Sequence, residues 1–179
     1  YNFGKFLYTN TDNKYSLIFE NPSVFNGEHY AFADYAEGIY VGYKYYETRW
    51  IDNETNQCDE SAYDQDVQFP FGYGLSYTEF EQKIDRFEDD GTTVSVDITV
   101  TNVGDTAGKE VVQLYHTPPY YLGGIEKAYV NLLDYEKTKL LNPGESETIT
   151  MQFAYEDMAS YDYQNHRCYV LEHGDYEIK

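Results

Sequence analysis

Cysteine is scarce in this sequence. Cys58 and Cys168 stand in unrelated settings, which excludes a disulfide framework and the clustered ligand spacing of a zinc site, so two free thiols are expected. Basic residues are few as well: 12 Lys and Arg stand against 32 Asp and Glu, a formal charge of -20. Such a field repels phosphate backbones and anionic headgroups, so neither nucleic acid nor a membrane is an expected partner, and the acidity reads as solubility. No apolar run approaches the ~20 residues needed to span a bilayer. The opening Tyr1-Asn2-Phe3-Gly4-Lys5 lacks the basic start and apolar stretch of a signal peptide. The expectation is a soluble chain, bacterial cytoplasmic or secreted, that reads as an excised fragment or a processed product. Asn53-Glu54-Thr55 matches a glycosylation sequon, a pattern short enough to arise by chance.

Aromatics, by contrast, are abundant. Twenty-two Tyr and 10 Phe supply bulky amphipathic surface for a core and for interfaces. Up to about Pro70 the chain is irregular, with turn chemistry at Asn10-Thr11-Asp12-Asn13, Asn21-Pro22-Ser23 and Asp52-Asn53-Glu54-Thr55-Asn56. Ile39, Val41, Tyr43 and Tyr45 alternate with Tyr40, Gly42, Lys44 and Tyr46, and this period of two predicts a short strand or extended aromatic segment. After Pro70 the texture changes. Val94, Val96, Ile98 and Val100 alternate with Ser95, Asp97 and Thr99, the clearest half-buried strand in the chain. A second strand is expected over Glu110 to His116, stopped by Thr117-Pro118-Pro119, and pairing of these two is expected. Further strands are read at Val130 to Leu133, Lys137 to Leu141, around Ile149, Met151 and Phe153, at Arg167 to Leu171 and at Asp175 to Ile178, with turns at Asn142-Pro143-Gly144-Glu145 and His173-Gly174. Short strands, frequent turns and no helix-period stretch longer than Glu156 to Ser160 predict an all-β, antiparallel β-sandwich preceded by a largely irregular segment.

Four segments carry a resemblance. Glu37-Gly38-Ile39-Tyr40-Val41-Gly42-Tyr43-Lys44-Tyr45-Tyr46-Glu47 is similar to the end of the α/β sandwich domain of family 3 glycoside hydrolases, the family of many β-glucosidases. Phe69-Pro70-Phe71-Gly72-Tyr73-Gly74-Leu75-Ser76-Tyr77-Thr78 resembles that family's link into its fibronectin type III-like domain. Val100-Thr101-Asn102-Val103-Gly104 running on through Val111-Val112-Gln113-Leu114-Tyr115, and Leu141-Asn142-Pro143-Gly144-Glu145-Ser146, resemble strands and turns of that domain. Departures fall at Tyr120-Tyr121-Leu122-Gly123-Gly124-Ile125 and at Asp134-Tyr135. The resemblance implies residues 1–77 as the tail of the α/β sandwich domain with its linker, and 78–179 as the fibronectin type III-like domain. It also implies, as partners, the parent's catalytic barrel and sandwich domains and the parent's carbohydrate substrate.

Glycoside hydrolysis needs two convergent carboxyl groups. The resemblance places the nucleophile on the absent barrel and the acid/base on a loop upstream of Tyr1, so no catalytic residue is expected in this chain, which alone should be inactive. Glu37 and Glu47 flank an aromatic segment, but nothing in their spacing makes them converge. Glu37, Tyr40, Tyr43, Tyr45, Tyr46, Trp50, Phe69, Phe71, Tyr73 and Tyr77 are the candidate interdomain surface, through which the fragment is also expected to self-associate. Glu88-Asp89-Asp90-Gly91 reads as a hairpin turn rather than a calcium loop, and His29, His116, His166 and His173 lack metal-ligand spacing. Gly72-x-Gly74 opens no helix, so no cofactor is expected, and its glycines are read as permitting a tight interdomain turn. Two alternatives stay open: a carbohydrate-binding module that stacks sugars on Tyr120, Tyr121 and Tyr129, and a protein-protein interaction module.

Overall fold

The elements in chain order are α1 (Tyr43–Arg49), α2 (Glu60–Asp66), β1 (Phe80–Asp89), β2 (Thr93–Asn102), β3 (Val111–Thr117), β4 (Asn131–Lys137), β5 (Ser146–Ala154), a 3₁₀ turn (Tyr155–Met158), β6 (Ser160–Asp162), β7 (Cys168–Val170) and β8 (Glu177–Ile178). They come from a computed structural model that describes residues 38–52 and 57–179. The turns read at 10–13 and 21–23, the sequon at Asn53, His29 and Glu37 lie outside the described residues.

Alternation builds the core. Val94, Val96, Ile98 and Val100 of β2 all face inward, and the antiparallel register with β5 sets Ile98 against Ile149, Val96 against Met151 and Val94 against Phe153. Val112 and Leu114 of β3 join them from the opposite sheet, together with Leu141 and Met158. The two layers are therefore β1-β2-β5 and β4-β3-β8, with β6-β7 as a separate ribbon. The other face of β2 is polar and laddered: Gln152 donates to Ser95, Thr150 and Arg86 donate to Asp97, Thr99 pairs with Thr148, and Thr101 with Ser146.

Three expectations need correction. Ile39 to Tyr46 is not a strand: Gly42, at φ 61°, turns the chain and α1 begins at Tyr43. The helix wins because its side chains find partners on the sandwich. Tyr43 Oη accepts the Leu132 N–H at 2.9 Å, and Thr48 Oγ1 accepts the Tyr129 N–H at 2.9 Å, two amide donors at and just before β4. Nor does β2 pair with β3, because both edges of β2 are occupied by β1 and β5, and residues 103–110 carry the chain to the other sheet. Lys137 to Leu141 is not a separate strand: β4 ends at Lys137, and Leu141 makes an isolated bridge to Gly108. Two strands, β1 and the three-residue β6, are not among those read from the sequence. β1 is an edge strand with little apolar alternation, bulged between Ile84 and Arg86.

The turns follow their chemistry. Asp90 Oδ1 accepts the N–H groups of Thr92 and Thr93, and Gly91 takes φ 86° in the β1–β2 hairpin, so that carboxylate serves the turn. At Asn142-Pro143-Gly144-Glu145, proline precedes a glycine at φ 75°, and the Glu145 N–H closes onto the Asn142 carbonyl.

Asn102, fully buried at the end of β2, ties these parts together. Its Nδ2 donates to the carbonyls of Thr106 (2.8 Å) and Leu141 (2.9 Å), and its Oδ1 accepts from Thr78 Oγ1 (2.7 Å) and the Gly104 N–H (3.1 Å). The neighbouring backbone is close enough to reject a methyl group. A Cβ at Gly104 would stand 2.7 Å from Glu79 N, whereas one at Gly74 meets nothing within 4 Å. Gly104→Ala is therefore expected to destabilise the fold by about 1–3 kcal/mol, read as a lower urea midpoint, with Gly74→Ala unchanged. Equal midpoints for the two variants would count against this packing.

Candidate interdomain surface

Ile39–Lys179 forms one compact unit, so the helical segment and the sandwich can be described together. The ten side chains expected at an interdomain surface do not share one environment. Tyr40 and Tyr43 face the sandwich itself. Tyr40 Oη donates to Glu126 Oε2 at 2.6 Å, and burial together with that carboxylate pushes its phenol well above the ordinary range. Besides accepting from Leu132, Tyr43 packs its ring 4.7 Å from Phe71 and edge-on to Tyr115 at 6.1 Å. Tyr45 and Tyr46 meet edge to face at 5.2 Å, and the Arg49 guanidinium lies 4.4 Å above the Trp50 ring while pairing with Asp66. Glu47 accepts the Tyr63 hydroxyl at 2.6 Å. That bond gives it a local structural partner, and Glu37 lies outside the described residues.

Phe69, Phe71, Tyr73 and Tyr77 behave differently, since all are more than half exposed and Tyr77 is 99% exposed. Phe69 and Tyr73 stack on each other at 4.9 Å, and the turn that presents them is closed by the Tyr73 N–H on the Pro70 carbonyl. Gly72 sits at φ 82°, where a Cβ would press 2.8 Å from Gln113 Nε2 of β3, so a glycine lets this turn lie against the sheet. Leu75, 91% exposed in the middle of the same run, and the exposed Ile39 and Val41 beside Tyr40 are not among the ten named side chains, although the segments expected at the surface contain them. The signal was available: an apolar residue after Gly72-x-Gly74 has little neighbouring side-chain bulk to cover it.

Other candidates are also placed. Cys58 and Cys168 are free and exposed. His116 is buried, its ring stacked on Tyr176 at 6.2 Å, and His166 Nδ1 lies 2.7 Å from Asp162 Oδ2. The Asp162 carboxyl is held down to about 2, first by the Asn165 N–H and then by His166. Among the described residues no three His, Cys, Asp or Glu side chains gather as a metal ion would require, and no helix is long and apolar enough to cross a membrane.

Two three-stranded antiparallel layers closed over one core define the class, and residues 110–179 match the family of the fibronectin type III-like domain. The wider comparisons extend along most of the chain. β-Glucosidase A of Butyrivibrio fibrisolvens is 39% identical over 165 residues, which is 82% of this chain and 18% of that protein. The β-glucosidase of Ruminococcus albus is 42% identical over 79% of this chain and 14% of its own. Among solved structures, β-glucosidase 3B from Thermotoga neapolitana in complex with glycerol superposes with a TM-score of 0.63 at 39% identity, over 80% of this chain and 18% of that one. The β-glucosidase from Paenibacillus barengoltzii gives 0.66 at 42%, over 82% and 15%. The chain carries the fibronectin type III-like domain of glycoside hydrolase family 3. It spans less than a fifth of the length of each of these relatives.

Proposed function

We propose that this chain is a non-catalytic accessory region of a family 3 glycoside hydrolase acting on β-glucosides or related O-glycosidic bonds, and that it packs against the catalytic domains and can line the rim of their site. In this reading residues 1–77 are the tail of the α/β sandwich domain with its linker, and 78–179 are the fibronectin type III-like domain. The observation that carries it is the run Phe69, Phe71, Tyr73, Leu75 and Tyr77, exposed on one short segment of a chain that matches only a small share of each relative. Apolar side chains displayed so densely are what a domain-domain contact covers. Catalysis is assigned to the other domains, and the one described carboxylate of the Glu37 and Glu47 pair is engaged by Tyr63.

The test is made in the parent enzyme. Phe71→Ser with Tyr77→Ser is expected to remove about 1.5–3 kcal/mol for each large side chain that the interface buries, read as a lower melting temperature. Turnover of an aryl β-glucoside at low temperature should persist. In the isolated chain the same pair should reduce self-association measured by light scattering. An unchanged melting temperature in the parent would reject the interface.

A further inference from the structure

An open cleft of about 900 Å³ lies among the end of α1, the loop that follows β3 and the loop before β8. Its size falls within the ~300–1,000 Å³ of small-molecule sites. Five tyrosines line it, Tyr40, Tyr120, Tyr121, Tyr129 and Tyr176, drawn from segments far apart in the sequence. Tyr120 and Tyr121 are 37% and 48% exposed, so their rings remain available for contact.

The walls are fixed in advance. Tyr40 is held by Glu126, the Tyr121 hydroxyl donates to the His173 carbonyl at 2.7 Å, and Lys179 Nζ sits 4.6 Å from the Tyr129 ring. Behind them Lys127, almost wholly buried, pairs with Glu172 and donates to the Pro119 carbonyl. Gly174 lets the two loops meet, because a Cβ there would fall 2.7 Å from Pro119 Cβ and 2.8 Å from Tyr121 Oη. Rings already held by hydrogen bonds lose little freedom when a ligand arrives. One polar group in the cleft wall is unsatisfied: Thr117 is 5% exposed, and its Oγ1 has no hydrogen-bond partner among the described residues. That oxygen has almost no accessible surface, so it lies behind the cleft wall and is not itself a ligand contact.

The chemistry of the occupant follows. A chain at -20 disfavours anions, and Asp175 and Glu177 place carboxylates in the lining. A purely apolar ligand would lay hydrocarbon against the Asp175 carboxylate, while Glu177 already pairs with Lys179 at 3.1 Å. A neutral molecule with apolar ring faces and many hydroxyls suits both the tyrosine rings and the acceptors. We propose that this cleft binds a neutral oligosaccharide of pyranose units, with Tyr120 and Tyr121 as stacking platforms and Asp175 and Glu177 facing its hydroxyls. The assignment stands on the cleft alone and does not depend on the interface at Phe69 to Tyr77 or on the parent's activity.

The experiment titrates the 179-residue chain with cellotetraose and, separately, laminaritetraose, following amide shifts by NMR and heats by calorimetry. Saturable binding of either sugar is expected, with shifts centred on residues 117–129 and 173–177. Tyr120→Ala should weaken it by about tenfold, and Asp175→Ala should weaken it severalfold, both with unchanged thermal unfolding. If Tyr120→Ala unfolds the chain, the shift map of the unsubstituted protein decides in its place. No saturable binding of either sugar, shifts that map elsewhere, or affinity indifferent to both substitutions would each overturn the assignment. So would capture of the cleft by a proline-rich peptide that the sugars cannot displace.

Discussion

Asn102→Ala is expected to remove about 3–5 kcal/mol of stability, enough to consume a large part of the margin of a domain this size. The substitution takes the Asn102 partner from the Thr106 carbonyl and the Thr78 hydroxyl, and one of two partners from the Leu141 carbonyl and the Gly104 amide, all of which now meet at one side chain. It also leaves a void at a site with no solvent exposure. Asn102→Asp should be as damaging, because it exchanges two donors for a charge aimed at two carbonyl oxygens. Urea denaturation at neutral pH measures both. A loss below about 1 kcal/mol for either variant would mean that the surrounding groups find other partners and that the amide is dispensable.

The second large effect is on pH dependence. His116 is 4% exposed, and burial, reinforced by the charge of Lys44, lowers its pKa from the ordinary 6.5 to about 4. Its Nδ1 has no hydrogen-bond partner among the described residues, so no acceptor there stabilises the protonated ring at that nitrogen. The unfolded chain takes up this proton near pH 6.5 and the folded chain only near 4, so the unfolded state binds more protons in between. Stability is therefore fully present above about 6.5 and declines as the pH falls toward 4, by about 3 kcal/mol for this group. His116→Phe removes the ionisation. Its urea midpoint should fall less than that of the unsubstituted chain between pH 7 and pH 4.5, and the His116 ring resonances should titrate near 4. Parallel stability curves for the two proteins, or a ring that titrates above 6, would refute the account.

Much of the sandwich was legible because its central strands obey one rule. From Val94 to Val100 in β2 and from Ile149 to Phe153 in β5 every second side chain is apolar and those between are polar, and the structure buries the first set and ladders the second. The turns at Asp90-Gly91 and Pro143-Gly144 were legible for a local reason, since only glycine takes those backbone angles freely. What failed depended on distant partners. α1 reads as alternating aromatics until Leu132 and Tyr129 offer amides to Tyr43 and Thr48. The assignment of β2 and β3 to different sheets likewise depends on β1, which lies at an edge and carries little apolar signal. At the surface, composition identified an aromatic-rich region but could not separate Tyr43, turned to the sandwich, from Tyr77, turned to solvent. The three tyrosines named as a sugar platform, Tyr120, Tyr121 and Tyr129, line one cleft together with Tyr176 and with Tyr40, which comes from a segment 80 residues earlier than Tyr120.

The buried amide has a consequence for how the chain finds its pairing. Thr78, Thr106, Leu141 and Glu145 reach Asn102 from separate stretches of sequence, Glu145 through its backbone carbonyl to the Asn102 N–H. No isolated hairpin can supply them all. A slip of β2 by one residue would turn Asn102 out to water and bring Thr101 inward, where one hydroxyl cannot serve two carbonyls, a hydroxyl and an amide. Valine and isoleucine along β2 could tolerate several misaligned partners, since apolar contact is not directional. Asn102 does not tolerate them, so it acts as a gauge that accepts a single alignment of β2 with the segments around it and leaves every near miss with stranded polar groups.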